Sequence, residues 1–283
     1  MPWAAEALVS TDALRERLLT SAWLIPGIVG AVLLLPTPAF AVVMALIVLL
    51  AAWEWGSLTG VQRPLGRVAI VAVVALTLLA LWPRSVSLGY VSLAALLWWL
   101  AFAVALPRLR PQPAPPGVDG ALLALGLVVL TAPWLALVRL HGGSPGGPLI
   151  VLGLIALIAA ADTAAYLVGS RFGRRKLAPR VSPGKTWEGL YAALAAAILC
   201  LLAAGLMLGL PPGTTLSLML LGAVTVALSV VGDLFESWLK RRRGRKDSGA
   251  LLPGHGGVLD RIDSMTAAAP AFALGLIWLG LAA

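Results

Sequence analysis

"PLIVLGLIALIAAADTAAYLVGS", Pro148 to Ser170, runs for 23 residues with one charged side chain, Asp162. A helix of about 20 apolar residues crosses a hydrocarbon core of roughly 30 Å, so this stretch reads as a membrane span. Its continuation, "RFGRRKLAPRVSPGKTWEG" from Arg171 to Gly189, puts six cations between Arg171 and Lys185. A span that holds an acid and ends in a cation-rich loop sets both the architecture and the first question of chemistry.

Composition extends that reading to the whole chain. Of 283 residues, 60% are hydrophobic and 12% charged, and mean hydropathy is +0.96. A soluble domain carries about twice that charge. Apolar runs between charged or Pro/Gly-rich breaks give nine candidate spans, at 22–35, 39–58, 67–82, 88–106, 119–139, 148–170, 187–210, 214–236 and 264–281. The expected fold is an all-α polytopic membrane protein with about nine transmembrane helices. The first run is short and contains Pro26, which fits a tilted or re-entrant piece. The organisation reads as 1–60 (an uncleaved amphipathic lead-in and a first hairpin), 61–150 (middle helices) and 151–283 (the part with the chemistry, with loops 171–186 and 240–263).

Charge sets the orientation. With the N-terminus inside, 19 of the 21 lysines and arginines face the cytoplasm and only Arg84 and Arg139 lie outside, a strong positive-inside bias. The charge-free turn "LPPGTT" then falls outside, and loops 171–186 and 240–263 share the cytoplasmic face. A net charge of +9 reports this topology and an anionic lipid or substrate rather than nucleic acid. One cysteine, Cys200, and two histidines exclude a disulfide framework and a closed Cys/His zinc site.

Only twelve residues are acidic. Asp162 lies about two turns inside its span, at a cost of roughly 3 kcal/mol, so it faces a polar cavity or is a packing aspartate between helices. Asp233 and Glu236 share a helix face at i,i+3, continued by Ser237 and Lys240. Asp260 and Asp263 repeat that spacing at the start of the last span, where the helix dipole favours carboxylates. If the eighth span brings Asp233 alongside them, three converging carboxylates call for a hard cation. Mg²⁺ suits such oxygen ligands, with substrate phosphates completing its shell.

The stretch "KRRRGRKDSGALLPGHGGVLDRIDS", Lys240 to Ser264, gathers seven cations beside three aspartates. Gly256 and Gly257 permit a tight turn with backbone N–H groups turned to an anion. His255 either bonds a phosphate or caps that turn, and Lys246 either contacts phosphate or pairs with Asp247. In the other loop, "GKT" is not a P-loop, because position 179 is proline and no nucleotide-binding strand precedes it. Ser182, Lys185 and Thr186 still suit a phosphate at the mouth of the seventh span. Glu188 is placed to cap that helix or pair with Lys185.

"SWLKRRRGRKDSGALLPGHGGVLDRID", Ser237 to Asp263, resembles the signature of the phosphatidate cytidylyltransferases, or CDP-diacylglycerol synthases. "DTAAYLVGSRFGRRKLAPRVSPGKTWEG", Asp162 to Gly189, resembles the upstream segment of the same family. One position departs from the usual pattern: Gly184 stands where Lys or Asn is common. The resemblance implies Mg²⁺-dependent transfer of CMP from CTP to phosphatidic acid with release of pyrophosphate. It also implies an all-helical, dimeric protein of the inner membrane. On that basis Asp233, Asp260 and Asp263 are the expected metal ligands, with Asp162 supporting the cavity or a second cation. Lys185, Lys240, Arg241, Lys246 and Arg261 are expected at phosphates, and His255, Gly256 and Gly257 around the nucleotide or pyrophosphate. The competing readings are a CTP-dependent lipid-alcohol kinase and, further off, an anion transporter.

Overall fold

The computed structural model describes residues 11–82, 87–251 and 256–282. The first ten residues of the lead-in, Arg84, Pro253 and His255 therefore lie outside the described residues. Within them are nine α-helices: α1 Thr11–Leu34, α2 Thr37–Leu58, α3 Pro64–Leu81, α4 Ser87–Ala105, α5 Gly120–Gly142, α6 Gly147–Phe172, α7 Trp187–Met207, α8 Pro212–Arg242 and α9 Leu259–Trp278. Prolines in the first turn start α2, α3, α6 and α8, where their missing N–H has no helical partner to lose.

Seven of the helices, α2 to α8, are long and apolar enough to cross a membrane. The other two differ from the nine expected spans for separate reasons. In α1 only Ala22–Leu34 is apolar, and α9 opens on Asp260, Arg261 and Asp263. The fold is all-α as expected apart from one small element: the 171–186 stretch, read as a loop, carries an antiparallel hairpin, β1 Lys176–Ala178 and β2 Ser182–Thr186.

The polar-ended α9 is central, packed against α2, α4, α5, α6 and α8. By contrast α3 buries only Val74 and Leu78 and turns the rest outward, as a lipid-facing helix does. Three indoles staple the bundle by donating to carbonyls of neighbouring helices: Trp55 Nε1 to Leu122 O (3.1 Å), Trp99 Nε1 to Thr266 O (3.2 Å) and Trp134 Nε1 to Ala41 O (2.9 Å). Each satisfies a buried polar atom that would be costly unpaired.

Two helices set the site. With 31 residues, α8 is about 46 Å long, well beyond the hydrocarbon thickness, so its last turns rise out of the apolar layer. Near that end Gly232 lets α9 come close, since a Cβ there would sit 2.6 Å from Asp263 O. That contact puts Asp233 beside Asp263.

Candidate active site

The hairpin supplies the first cation. Lys176 pairs with Thr186 and Ala178 with Ser182, so one residue of β1 faces three of β2. The stretch Pro183 to Lys185, opposite the single residue Leu177, forms a bulge, and a bulge re-aims its side chains. Lys185 Nζ thereby reaches Asp233 Oδ2 on α8 at 2.5 Å, while Ser237 Oγ donates to Asp233 Oδ1 at 3.3 Å.

A cavity of about 420 Å³ opens between α6, β2, α7 and α8, and Asp162, Lys185, Thr186 and Asp233 line it. Asp162 lies within electrostatic reach of both Lys185 and Asp233. The Thr186 hydroxyl accepts from Gly189 N (3.2 Å) and caps α7, whose positive end faces the cavity. Ser182 sits opposite Ala178 and is not among the lining residues. Glu188 accepts from the Arg175 backbone N–H rather than from Lys185.

A second cluster lies at the α8–α9 junction. Lys240 Nζ is 2.8 Å from Glu236 Oε2 and 2.6 Å from Asp260 Oδ1. Asp260 Oδ2 accepts from the backbone N–H groups of Ser248 (3.0 Å) and Gly257 (2.8 Å). Asp263 stands between the clusters, within electrostatic reach of Asp233, Lys185 and Glu236.

The expected convergence of Asp233, Asp260 and Asp263 on one cation is not what the described residues form. No three His, Cys, Asp or Glu side chains there are grouped to hold a metal. The counter-charge comes from lysines instead, with Lys185 against Asp233 and Lys240 against Glu236 and Asp260. The remaining donors still fit a Mg²⁺ ion that takes two carboxylates and fills its shell with phosphate and water. Asp233 and Asp263 are hard oxygen donors within electrostatic reach of one another, and Glu236, also within reach of Asp263, has its Oε1 buried without a hydrogen-bond partner.

The cation run divides in a way that counting charges does not show. Arg242 pairs with Asp119 (3.3 Å) and lies over the Trp238 ring. Arg243 donates to Leu58 O, Pro115 O and Gly117 O, and Arg245 to Ser57 Oγ (2.7 Å). These three bind the chain to itself. Arg241, expected at phosphate, donates to Arg245 O (3.0 Å). Lys246 and Arg261 are exposed, and no ion pair joins Lys246 to Asp247.

One residue of the cluster was not anticipated. Glu54 of α2 is 3% exposed, and its carboxylate accepts from Ser248 Oγ (2.8 Å), Val258 N (3.0 Å) and Leu259 N (2.9 Å). Its signal was present in the sequence, as a single acid inside an apolar run like Asp162.

The profile of the Cytidylyltransferase family matches residues 15–278, most of the chain and both clusters. This chain belongs to the cytidylyltransferase family. Among its relatives, the phosphatidate cytidylyltransferase of Pseudomonas aeruginosa is 44% identical over 265 residues, covering 94% of this chain and 97% of that one. The Haemophilus influenzae phosphatidate cytidylyltransferase is 35% identical over 284 residues, with 92% and 97% covered. A chloroplastic phosphatidate cytidylyltransferase of Arabidopsis thaliana is 44% identical over 119 residues, 40% of this chain and 29% of its own. Family membership therefore spans the N-terminal helices as well as the motif-bearing half.

Proposed function

We propose that this chain transfers CMP from CTP to phosphatidic acid, giving CDP-diacylglycerol and pyrophosphate in phospholipid biosynthesis. The observation that carries the reading is the Lys185–Asp233 pair on the wall of a cavity that Asp162 also lines. Two full-length relatives named as phosphatidate cytidylyltransferases support it.

In this reaction an oxygen of the lipid phosphate bonds to the α-phosphorus of CTP. The bond to the bridging α,β oxygen breaks, and pyrophosphate leaves with that oxygen. Both reactants are polyanions, so the protein must first offset repulsion between them. Lys185 does so from β2 with the ammonium hydrogens that Asp233 leaves over, and the positive end of α7 adds to it. Leu177, Leu190 and Val230 give the cavity an apolar side that suits the lipid's glycerol and acyl region. The nucleophile belongs to the substrate, so no serine or cysteine is required.

Asp233 and Asp263 would hold a Mg²⁺ ion, with Asp162 supporting the cavity or a second cation. When bound, Mg²⁺ supplies Lewis-acid neutralisation of the triphosphate. Asp260 positions Lys240 and the Ser248 and Gly257 backbone, to which its two oxygens are bonded. Lys240 keeps one of three ammonium hydrogens for a phosphate. Lys246, Arg261, His255 and the Gly256–Gly257 backbone then receive the pyrophosphate end of CTP.

We place the enzyme in the bacterial inner membrane with nine crossings, the seven apolar helices plus α1 and α9. The N-terminus and both loops are cytoplasmic, and the protein works as a homodimer. The positive-inside count supports this orientation.

The test is purified protein in mixed micelles with phosphatidate, Mg²⁺ and CTP labelled on the α-phosphate. Metal-dependent label in the lipid, with one pyrophosphate per turnover, is the expected result. Label entering a lipid alcohol from γ-labelled CTP instead would make the chain a kinase.

A further inference from the structure

We propose that Glu54, on α2, is a positioning residue of the active site. Its buried carboxylate fixes both ends of the 248–259 segment and, through them, the Asp260–Lys240 pair.

Membrane packing gives no reason for a carboxylate at this place. Glu54 sits among apolar residues of a spanning helix, between Trp53 and Trp55, where burying a charge is costly unless hydrogen bonds satisfy it. All three of its donors belong to one distant segment, Ser248, Val258 and Leu259. Among the described residues no cation pairs with it. The anion therefore faces backbone and hydroxyl donors, including N–H groups at the start of α9, where negative charge is favoured.

The segment is shaped to receive it. A Cβ on Gly249 would meet Glu54 Oε1, and one on Gly257 would meet both Glu54 Oε2 and Ser248 Oγ. Gly256 has a φ of +79°, a left-handed conformation that side chains other than glycine rarely adopt. Only a chain with glycine at these points brings its backbone onto the carboxylate.

Glu54 and Asp260 grip the same two places. Ser248 is held through Oγ by Glu54 and through N by Asp260. On the other side, Gly257 N goes to Asp260, while Val258 N and Leu259 N go to Glu54. Asp260 in turn holds Lys240 at 2.6 Å. One turn further along α2, Ser57 Oγ receives Arg245 and Leu58 O receives Arg243. Residues 54, 57 and 58 lie on one helical face at i, i+3 and i+4, so a single turn of α2 holds Arg243, Arg245, Ser248, Val258 and Leu259 together.

For its effect on turnover the inference rests on the CMP transfer proposed above. The test is Glu54→Gln in the full-length protein. Glutamine keeps the shape but turns an amide NH₂ toward a backbone N–H, leaving two donors face to face. Hydrogen exchange at Val258 and Leu259 should quicken. Per folded molecule, kcat/KM for CTP should fall about 10- to 100-fold, as for groups that orient a site's ligands, with the KM for phosphatidate unchanged. Lys240→Ala should cost less in the Glu54→Gln background than alone, because the two act through one unit.

A variant with a lower unfolding temperature, but with kcat, both KM values and the cost of Lys240→Ala unchanged, would overturn the proposal. If Glu54→Gln does not fold, Ser248→Ala removes one of the three bonds. It should move exchange and kcat/KM for CTP in the same directions by less, and no movement overturns the idea. If the wild-type protein transfers no CMP, the functional reading fails by itself. Exchange at Val258 and Leu259 then decides the clasp alone, faster exchange in Glu54→Gln supporting it and unchanged exchange refuting it.

Discussion

Lys185 on the β2 bulge and Asp233 on α8 meet at 2.5 Å, and this contact ties the cation-rich hairpin to the helix that leads into the cation run from Lys240. Each side chain is about a quarter exposed, so the pair is open to the cavity rather than sealed in the core. Lys185→Ala should lower kcat/KM by about 100-fold, in line with loss of a preorganised donor at a developing charge. Initial rates with α-labelled CTP check this, and unchanged kcat with unchanged KM for both substrates would remove Lys185 from the site.

Asp260 has both oxygens engaged, by Lys240 and by two backbone N–H groups. Asp260→Asn replaces one acceptor with a donor and leaves Lys240 with Glu236 alone. Turnover should fall to under about a tenth of wild type while the protein stays folded in detergent. Activity above that level in a well-folded preparation would remove Asp260 from any supporting role.

Arg243 bonds the end of α8 to Leu58, Pro115 and Gly117. Arg243→Ala should lower stability by about 1–3 kcal/mol through unsatisfied carbonyls, with KM for CTP unchanged. Thermal unfolding measured beside steady-state kinetics separates the two. A raised KM with no loss of stability would return Arg243 to the substrate-binding cations.

Glycines divide by what a side chain would meet. At Gly257 a Cβ runs into Ser248 Oγ and the Glu54 carboxylate, whereas at Gly184 nothing lies within 4 Å. Gly257→Ala should be inactive or poorly folded. Gly184→Asn, which restores a residue common at that place among proteins this chain resembles, should keep activity within about two-fold. Expression, unfolding temperature and initial rate of both variants are the measurements.

Mg²⁺ dependence is expected from the donor set proposed at Asp233 and Asp263. Chelation should abolish label transfer and added Mg²⁺ should restore it, while Asp263→Asn should demand more Mg²⁺ for half-maximal rate. An unaltered Mg²⁺ requirement in Asp263→Asn would place the ion elsewhere.

Hydropathy located α2 to α8 well because an apolar run and a lipid-spanning helix are set by the same thickness. It placed ends poorly where helices leave the lipid. The eighth span was read to 236, yet α8 continues to Arg242, since charged residues do not end a helix outside hydrocarbon. The last span was read from 264, yet α9 begins at Leu259. The hairpin escaped notice because its strands are three and five residues long and two prolines interrupt the stretch. Asp162, Lys185 and Asp233 could be picked out because ionisable groups near lipid need a reason. Glu54 met the same criterion and was passed over, for its partners lie about 200 residues away. Nor could sequence sort Arg242, Arg243 and Arg245, which bind their own chain, from cations free to meet a substrate. That division depends on where loop 110–119 and the end of α2 come to rest.

The polar opening of α9 has a consequence for biosynthesis. Asp260, Arg261 and Asp263 keep this helix out of the apolar seven, yet eleven of its twenty residues are buried. It follows the other eight described helices in chain order, so Glu54 is already in place to accept the N–H groups at its start and Lys240 to pair with Asp260. Docking of α9 and completion of the site are then one event. Until α9 docks, the two clusters have no complete centre between them.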